Sequence, residues 1–320
     1  MINVTLLLPV KNGSEFLVDS LSNLSRIAGP EDEILVINDF STDNSLEIIH
    51  DFQKLDQRIR VEDSKKEGLV NALNLGVKES SNNWIARCDV DDMYAVERIV
   101  IQKKAIKNEI AGIFTDYEFF ADGEKSLGIM PSAINSESVS VSLAKSQRTA
   151  HPSIMYSKDA VVSAGGYREE DFPAEDLSLW LRMSKEGKLI SIPKVLLNYR
   201  LTRMSVSMQK RGLIQEKTRS LLSTIGINYR DLAYTFTNLE SILEDYNKSE
   251  LSTRRKMLLL RELLVIHRNP SRFGVGENKN VNSFKYMKFL LSGKFLAEGI
   301  SLKRERDLRN KFRFSETNVK

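Results

Sequence analysis

Four short apolar runs, each followed by an amphipathic stretch, constrain this chain more than any other feature. Residues 4–10, 33–37, 59–61 and 84–86 read as buried strands. After the first run, Asn12-Gly13-Ser14 punctuates the chain, and Phe16, Leu17, Leu21, Leu24 and Ile27 recur at helical spacing. Asp43 reads as a helix cap ahead of Leu46, Ile48 and Ile49. Leu69, Ala72, Leu73 and Gly76 share a helix face. Apolar strands alternating with helices predict an α/β fold, with a mostly parallel sheet covered by helices on both faces. Such sheets bind ligands beyond the carboxyl ends of their strands.

Two acidic features fall at those ends. Asn38-Asp39 follows the second run, and Asp89, Asp91 and Asp92 follow the fourth, after Arg87 and Cys88. Carboxylates this close repel, and a folded protein tolerates them best around a cation. Hard divalent ions such as Mg²⁺ and Mn²⁺ take oxygen ligands, often shared with substrate phosphates. A solvated acidic turn is the competing reading of the trio alone. Its position beside Asp39 at the strand ends favours a metal and a phosphorylated ligand.

The rest of the chain adds further strands at 110–119, 189–192 and 195–200, a turn at Asp122-Gly123 and a helix at 175–185. Beyond about residue 210 the texture changes to helices at 213–222, 251–267 and 283–297. The domain boundary is expected there, with a catalytic domain over 1–210 and a basic helical region over 211–320. Charge supports the division: residues 251–320 hold 17 lysines and arginines against 6 acids, while residues 1–250 hold 30 against 37. With 41% hydrophobic and 28% charged residues, the chain fits a globular protein. Its single cysteine, Cys88, forms no intrachain disulfide, which suits a reducing cytosol. None of the 3 histidines pair at zinc-ligand spacing. The opening Met1-Ile2-Asn3-Val4 carries no basic leader, and no apolar run has the length of a membrane span. A cytoplasmic protein is expected.

Four motifs in order carry a family resemblance. They are Leu6-Leu7-Leu8-Pro9-Val10-Lys11-Asn12-Gly13; the segment from Ile34 through Asn38-Asp39-Phe40-Ser41-Thr42-Asp43 to Ser45; Gly68 to Gly76 followed by Arg87 to Asp92; and Ala174-Glu175-Asp176-Leu177 through Trp180 to Arg182. Over residues 3–205 the chain resembles the family 2 glycosyltransferases of the GT-A fold, of the bacterial surface-polysaccharide (O-antigen or capsule) type. The resemblance implies a donor site built from Pro9, Lys11, Asp39, Arg87, Asp89, Asp92 and Arg200, with Asp39 on the uracil imide. It implies Mn²⁺ or Mg²⁺ on Asp91 and Asp89, and leaves open which of Asp89, Asp91 and Asp92 touches the ion. Asp176 would be the catalytic base with Glu175 beside it, although spacing alone also fits a helix cap and a first-turn acid. His151 would reach the acceptor or the metal, or serve as a structural hydrogen-bond partner. Arg200, Arg203, Ser205 and Ser207 would form a loop over the diphosphate.

The implied activity is inverting transfer of a hexosyl or N-acetylhexosaminyl group from a UDP-sugar to a glycan hydroxyl, with lipid-linked polysaccharide precursors as the implied acceptors. The basic tail suggests peripheral contact with the inner face of the cell membrane, or a homodimer interface. No nucleic-acid-binding motif accompanies it. Lys11, Asn38, Phe40 and Lys66 depart from the family pattern, which carries tyrosine, aspartate, glycine and asparagine at those places. Two other readings are a non-catalytic nucleotide-sugar binder or scaffold of a synthase complex, and a sugar-nucleotidyltransferase. The latter would release diphosphate from a nucleoside triphosphate.

Overall fold

A computed structural model describes residues 2–121, 124–130, 132, 149–202, 205 and 209–224. Its strands are β1 (Val4–Val10), β2 (Glu33–Asn38), β3 (Ile59–Asp63), β4 (Trp84–Arg87), β5 (Met93–Tyr94), β6 (Ile110–Ala121), β7 (Glu124–Met130), β8 (Met155–Ser157) and β9 (Lys188–Arg200). Its helices are α1 (Ser14–Ile27), α2 (Ser45–Leu55), α3 (Leu69–Glu79), α4 (Arg98–Lys104), α5 (Lys158–Ser163), α6 (Glu175–Met183) and α7 (Arg211–Thr224).

All nine strands join one sheet in the order β3-β2-β1-β4-β8-β6-β9-β5, with β7 paired to β6. The expected parallel arrangement holds for β3-β2-β1-β4. Beyond β4 the sheet is mixed. The short β8 runs antiparallel to both β4 and β6, and β7 returns as a hairpin on β6. The β6–β9 pair is parallel, and β5 is antiparallel to β9.

Every residue of β1 is buried, as its unbroken apolar run requires. Val4, Leu6, Leu8 and Val10 pack with Leu17, Leu21 and Leu24 of α1 in the main core. Leu7 points to the other face, toward α3, where a Cβ built on Gly76 would lie 2.2 Å from Leu7 Cδ1. Helices thus cover both faces of this strand, and α3 approaches closely only because residue 76 lacks a side chain.

Pro9 sits at the carboxyl end of β1, where its pairing with β4 stops. The β1–β4 ladder ends at Leu7↔Arg87, followed by a bond from Cys88 N–H to the Leu7 carbonyl. Asp39 N–H donates to the Val10 carbonyl on the β2 side, so alternation turns Pro9 toward the β4 side. Its missing N–H therefore removes no rung, and β1 and β4 part just beyond it. That parting lies where the strand order reverses, the place ligands occupy in open α/β sheets.

One expectation differs in detail. Residues 189–192 and 195–200 form a single strand, because β9 continues through Pro193-Lys194 with a register shift between Thr115↔Ile192 and Asp116↔Val195. A proline cannot donate to the ladder, and the shift accommodates it. The helix expected at 213–222 lies within α7. The Asp122-Gly123 turn, Arg203, Ser207 and the helices expected at 251–267 and 283–297 lie outside the described residues. Among the described residues, no helix is long and apolar enough to cross a membrane.

Candidate active site

Loops at the carboxyl ends of β1, β2 and β3 form the first side of the site. Asp39 is buried, and its Oδ1 accepts the Gly68 N–H at 2.8 Å. Gly68 has φ +124°, a backbone conformation that glycine adopts without strain. Asn38 Nδ2 donates to Asp63 Oδ1 at 2.8 Å, and the Thr42 N–H donates to Asn12 Oδ1 at 2.7 Å. Asp43 does more than cap one helix: its carboxylate accepts the Ser14 N–H and the Ser45 N–H, at the starts of α1 and α2. Burial would raise its carboxyl, but bonds from Ser45 and Ser14 outweigh this and hold it at about 2. Lys11 is exposed and ion-paired with Glu67, whose hydrogen bond raises the lysine above its ordinary value. Lys66 pairs across to Glu169.

The acidic trio follows β4. Oxygens of Asp89, Asp91 and Asp92 lie within 4.8 Å of one another. Asp92 is buried, and its Oδ1 accepts the Arg200 N–H at 2.8 Å. Arg200 Nε donates to the Asp91 carbonyl at 2.8 Å, and its guanidinium stands 4.5 Å from the Phe120 ring centroid. Burial, then the charge of Asp89, lifts the Asp91 carboxyl to about 6. Burial, then Asp91 and Asp89, pushes Asp92 well above the ordinary carboxylate range. Asp89 is ion-paired with the buried Arg87. Burial opposes the charge on Arg87, and Asp89 outweighs that and keeps it charged.

This oxygen-rich cluster fits Mg²⁺ or Mn²⁺. Asp92 Oδ2 is buried without a hydrogen-bond partner among the described residues. A cation is the natural partner for such an oxygen, because a buried carboxylate left alone is costly.

Glu175 and Asp176 open helix α6. Trp180, fully buried one turn further on, anchors that helix by edge contacts to Phe114 at 5.6 Å and His151 at 5.5 Å. Asp176 Oδ1 accepts the Leu177 N–H at 2.6 Å. Glu175 is more buried, and its Oε2 has no hydrogen-bond partner among the described residues. Burial, then the charge of Asp176, pushes Glu175 up to about 8. Burial raises Asp176 too, against the opposing pull of the Leu177 N–H and Arg87. The charges of Arg87 and Asp89 act on both carboxyls.

His151 Nε2 lies 2.9 Å from Tyr167 Oη, and burial holds its imidazole well below its ordinary value. It is a neutral ring in the aromatic cluster around Trp180. Sequence reasoning missed Tyr94, Arg98 and Gln102, which lie behind the trio. The available signal was Arg98-x₃-Gln102 bracketing Ile99-Val100-Ile101, two long polar side chains one helical turn apart in an apolar stretch.

Residues 5–150 match the family model for glycosyl transferase family 2. An uncharacterized glycosyltransferase of Rickettsia bellii is 30% identical over 217 residues, covering 66% of this chain and 31% of that protein. A poly-beta-1,6-N-acetyl-D-glucosamine synthase of Staphylococcus epidermidis is 40% identical over 88 residues, 28% of this chain and 21% of its own length. The chain thus spans less than a third of either relative. Among solved structures, residues 1–349 of S. aureus TarS in complex with UDP-GlcNAc superpose with a TM-score of 0.56 at 17% identity, covering 93% of this chain and 81% of that one. The fold is that of the GT-A glycosyltransferases. Over its residues 5–150 the chain is similar to glycosyl transferase family 2.

Proposed function

We propose that this protein is an inverting, metal-dependent glycosyltransferase that moves a sugar from a UDP-sugar to a hydroxyl of a glycan acceptor. The observation that carries the reading is the acidic trio at the end of β4, its oxygens within 4.8 Å of one another and Asp92 Oδ2 buried without a partner among the described residues, in a chain that also places the adjacent acids Glu175 and Asp176 at the start of α6. A non-catalytic binder would not require that second pair of carboxyls. A nucleotidyltransferase would be expected to carry a glycine-rich phosphate loop, unlike Leu8-Pro9-Val10-Lys11-Asn12-Gly13.

In this reading Asp39 accepts the imide N–H of the base, and Pro9 leaves room for the nucleotide between β1 and β4. Lys11 and Arg200 face the diphosphate, and Arg87 with Asp89 and Asp92 faces the ribose and sugar. Asp91, Asp89 and Asp92 hold Mn²⁺ or Mg²⁺. Bound there, the ion supplies charge neutralisation for the diphosphate leaving group. Asp176 takes the proton from the acceptor hydroxyl while its oxygen bonds to the anomeric carbon and the bond to diphosphate breaks on the opposite face. Glu175, the more buried acid, keeps its own proton near neutral pH, so the pair carries one negative charge and Asp176 is free to act as base. His151 holds Tyr167 and Trp180 at the acceptor side.

The UDP-GlcNAc complex of TarS supports a UDP-sugar donor, and the poly-N-acetylglucosamine synthase supports a polysaccharide product. A lipid-linked precursor fits the basic region 211–320, which would bring a catalytic domain of residues 1–210 to an anionic membrane surface. The test is UDP release from a panel of UDP-, GDP-, dTDP- and CMP-sugars, with and without Mn²⁺ and with lipid-linked acceptors. Turnover of a UDP-sugar that needs the metal supports the reading. Metal-dependent binding without turnover on any acceptor would favour the scaffold instead.

A further inference from the structure

We propose that Tyr94 is a positioning residue for the metal-binding trio, fixing its first carboxylate through the backbone. The inference rests on the reading of Asp89, Asp91 and Asp92 as metal ligands. Tyr94 is buried, and its hydroxyl oxygen accepts the Asp89 N–H at 2.7 Å. Its own backbone is clamped to helix α1 on both sides. The Tyr94 N–H donates to Asn23 Oδ1 at 2.8 Å, and Asn23 Nδ2 donates to the Tyr94 carbonyl at 3.0 Å. Tyr94 also pairs with Leu197 in β9, the strand whose last residue, Arg200, holds Asp92. The trio is therefore fastened at both ends to β9 and α1.

Arg98 stiffens this arrangement from below. It is fully buried, and its guanidinium lies 4.3 Å from the centroid of the Tyr94 ring. Its Nη2 donates to the Arg87 carbonyl at 3.0 Å and to the Ile154 carbonyl at 3.2 Å. Its Nε donates to Gln102 Oε1, and Gln102 Nε2 donates to the carbonyls of Ile113 and Ser153. The end of β4, the ring of Tyr94 and the neighbouring β6 and β8 are thereby locked together. A ligand carboxylate held this way loses little freedom on meeting an ion, and outer partners of metal ligands tune affinity for that reason.

The test uses the full chain with Tyr94→Phe, which keeps the ring on Arg98 and removes only the acceptor for the Asp89 N–H. Mn²⁺ binding is read by electron paramagnetic resonance in the presence of UDP, and UDP binding without metal by calorimetry. Removing an outer partner of a metal ligand predicts a rise of about 10–100-fold in the Mn²⁺ dissociation constant. Metal-free UDP binding, which the Asp39 side would provide, is expected to stay unchanged. Should Tyr94→Phe fail to fold, Asn23→Ala loosens the same tyrosine and should move Mn²⁺ binding the same way. A folded variant with unaltered Mn²⁺ affinity, even with a lower melting temperature, overturns the positioning role alone. An unaltered protein that binds no Mn²⁺ with UDP overturns the metal reading itself.

Discussion

At the scale of single residues, the proposed division of roles between two adjacent acids rests on their burial. Glu175 is deeper than Asp176 and is pushed up to about 8 by burial and by its neighbour. Asp176→Asn is expected to lower turnover by about 10²–10⁴-fold, the usual contribution of a general base, while leaving UDP and Mn²⁺ binding intact. Glu175→Gln mimics the protonated acid and should retain far more activity; single-turnover rates on the two variants check this contrast. The raised Glu175 also has a stability signature. Between its ordinary 4.5 and about 8, the folded protein holds a proton that the unfolded chain has lost, so stability falls as pH rises through that window. Glu175→Gln removes this slope. Its melting temperature, relative to the unaltered protein, should rise from pH 5 to pH 9, and a constant difference would refute the assignment. The adjacent carboxyls were legible in the sequence as a pair. That Glu175 is the more deeply buried was not, because local spacing does not encode tertiary packing.

At the scale of elements, close fits at helix ends and faces hold the site's loops. Asp43 ties the starts of α1 and α2 together, and its carboxyl is held at about 2 against an ordinary 3.8. Asp43→Ala should cost about 1–2 kcal/mol at pH 7, discounted for its partial exposure. A depressed carboxyl stabilises above its unfolded value and loses that contribution as pH falls through its folded one. The deficit measured by urea unfolding should therefore shrink below about pH 4 and vanish only below about pH 2. On the other face, Gly76→Ala presses a methyl group against Leu7 and should cost about 1–3 kcal/mol, partly restored by Leu7→Val. These elements were readable because each is a long apolar run closed by turn residues. Strands β5 and β8 were not, being only 2 and 3 residues long. Pro193 made β9 look like two strands because a one-dimensional pattern shows a proline as a stop, whereas the ladder absorbs it by shifting register.

At the scale of the whole molecule, the two halves of the sheet supply different parts of the proposed site. The parallel half supplies Asp39 and the trio at the strand ends beside Pro9. The mixed half brings Arg200 onto Asp91 and Asp92, while α6 places its acids within the electrostatic reach of Arg87. The first half could be anticipated from alternation and acid placement alone. The second could not, since Asp92 and Arg200 lie more than 100 residues apart and meet only through the β9–β5 pairing. In the proposed function these halves together transfer sugar from a nucleoside-diphosphate donor with the help of a divalent ion. The most direct measurement is UDP release from a UDP-sugar with Mn²⁺ and acceptor, comparing the unaltered chain with Asp91→Ala and Asp176→Asn. Release that is abolished by chelation and by either substitution is the predicted result. Full release surviving both substitutions would contradict the account.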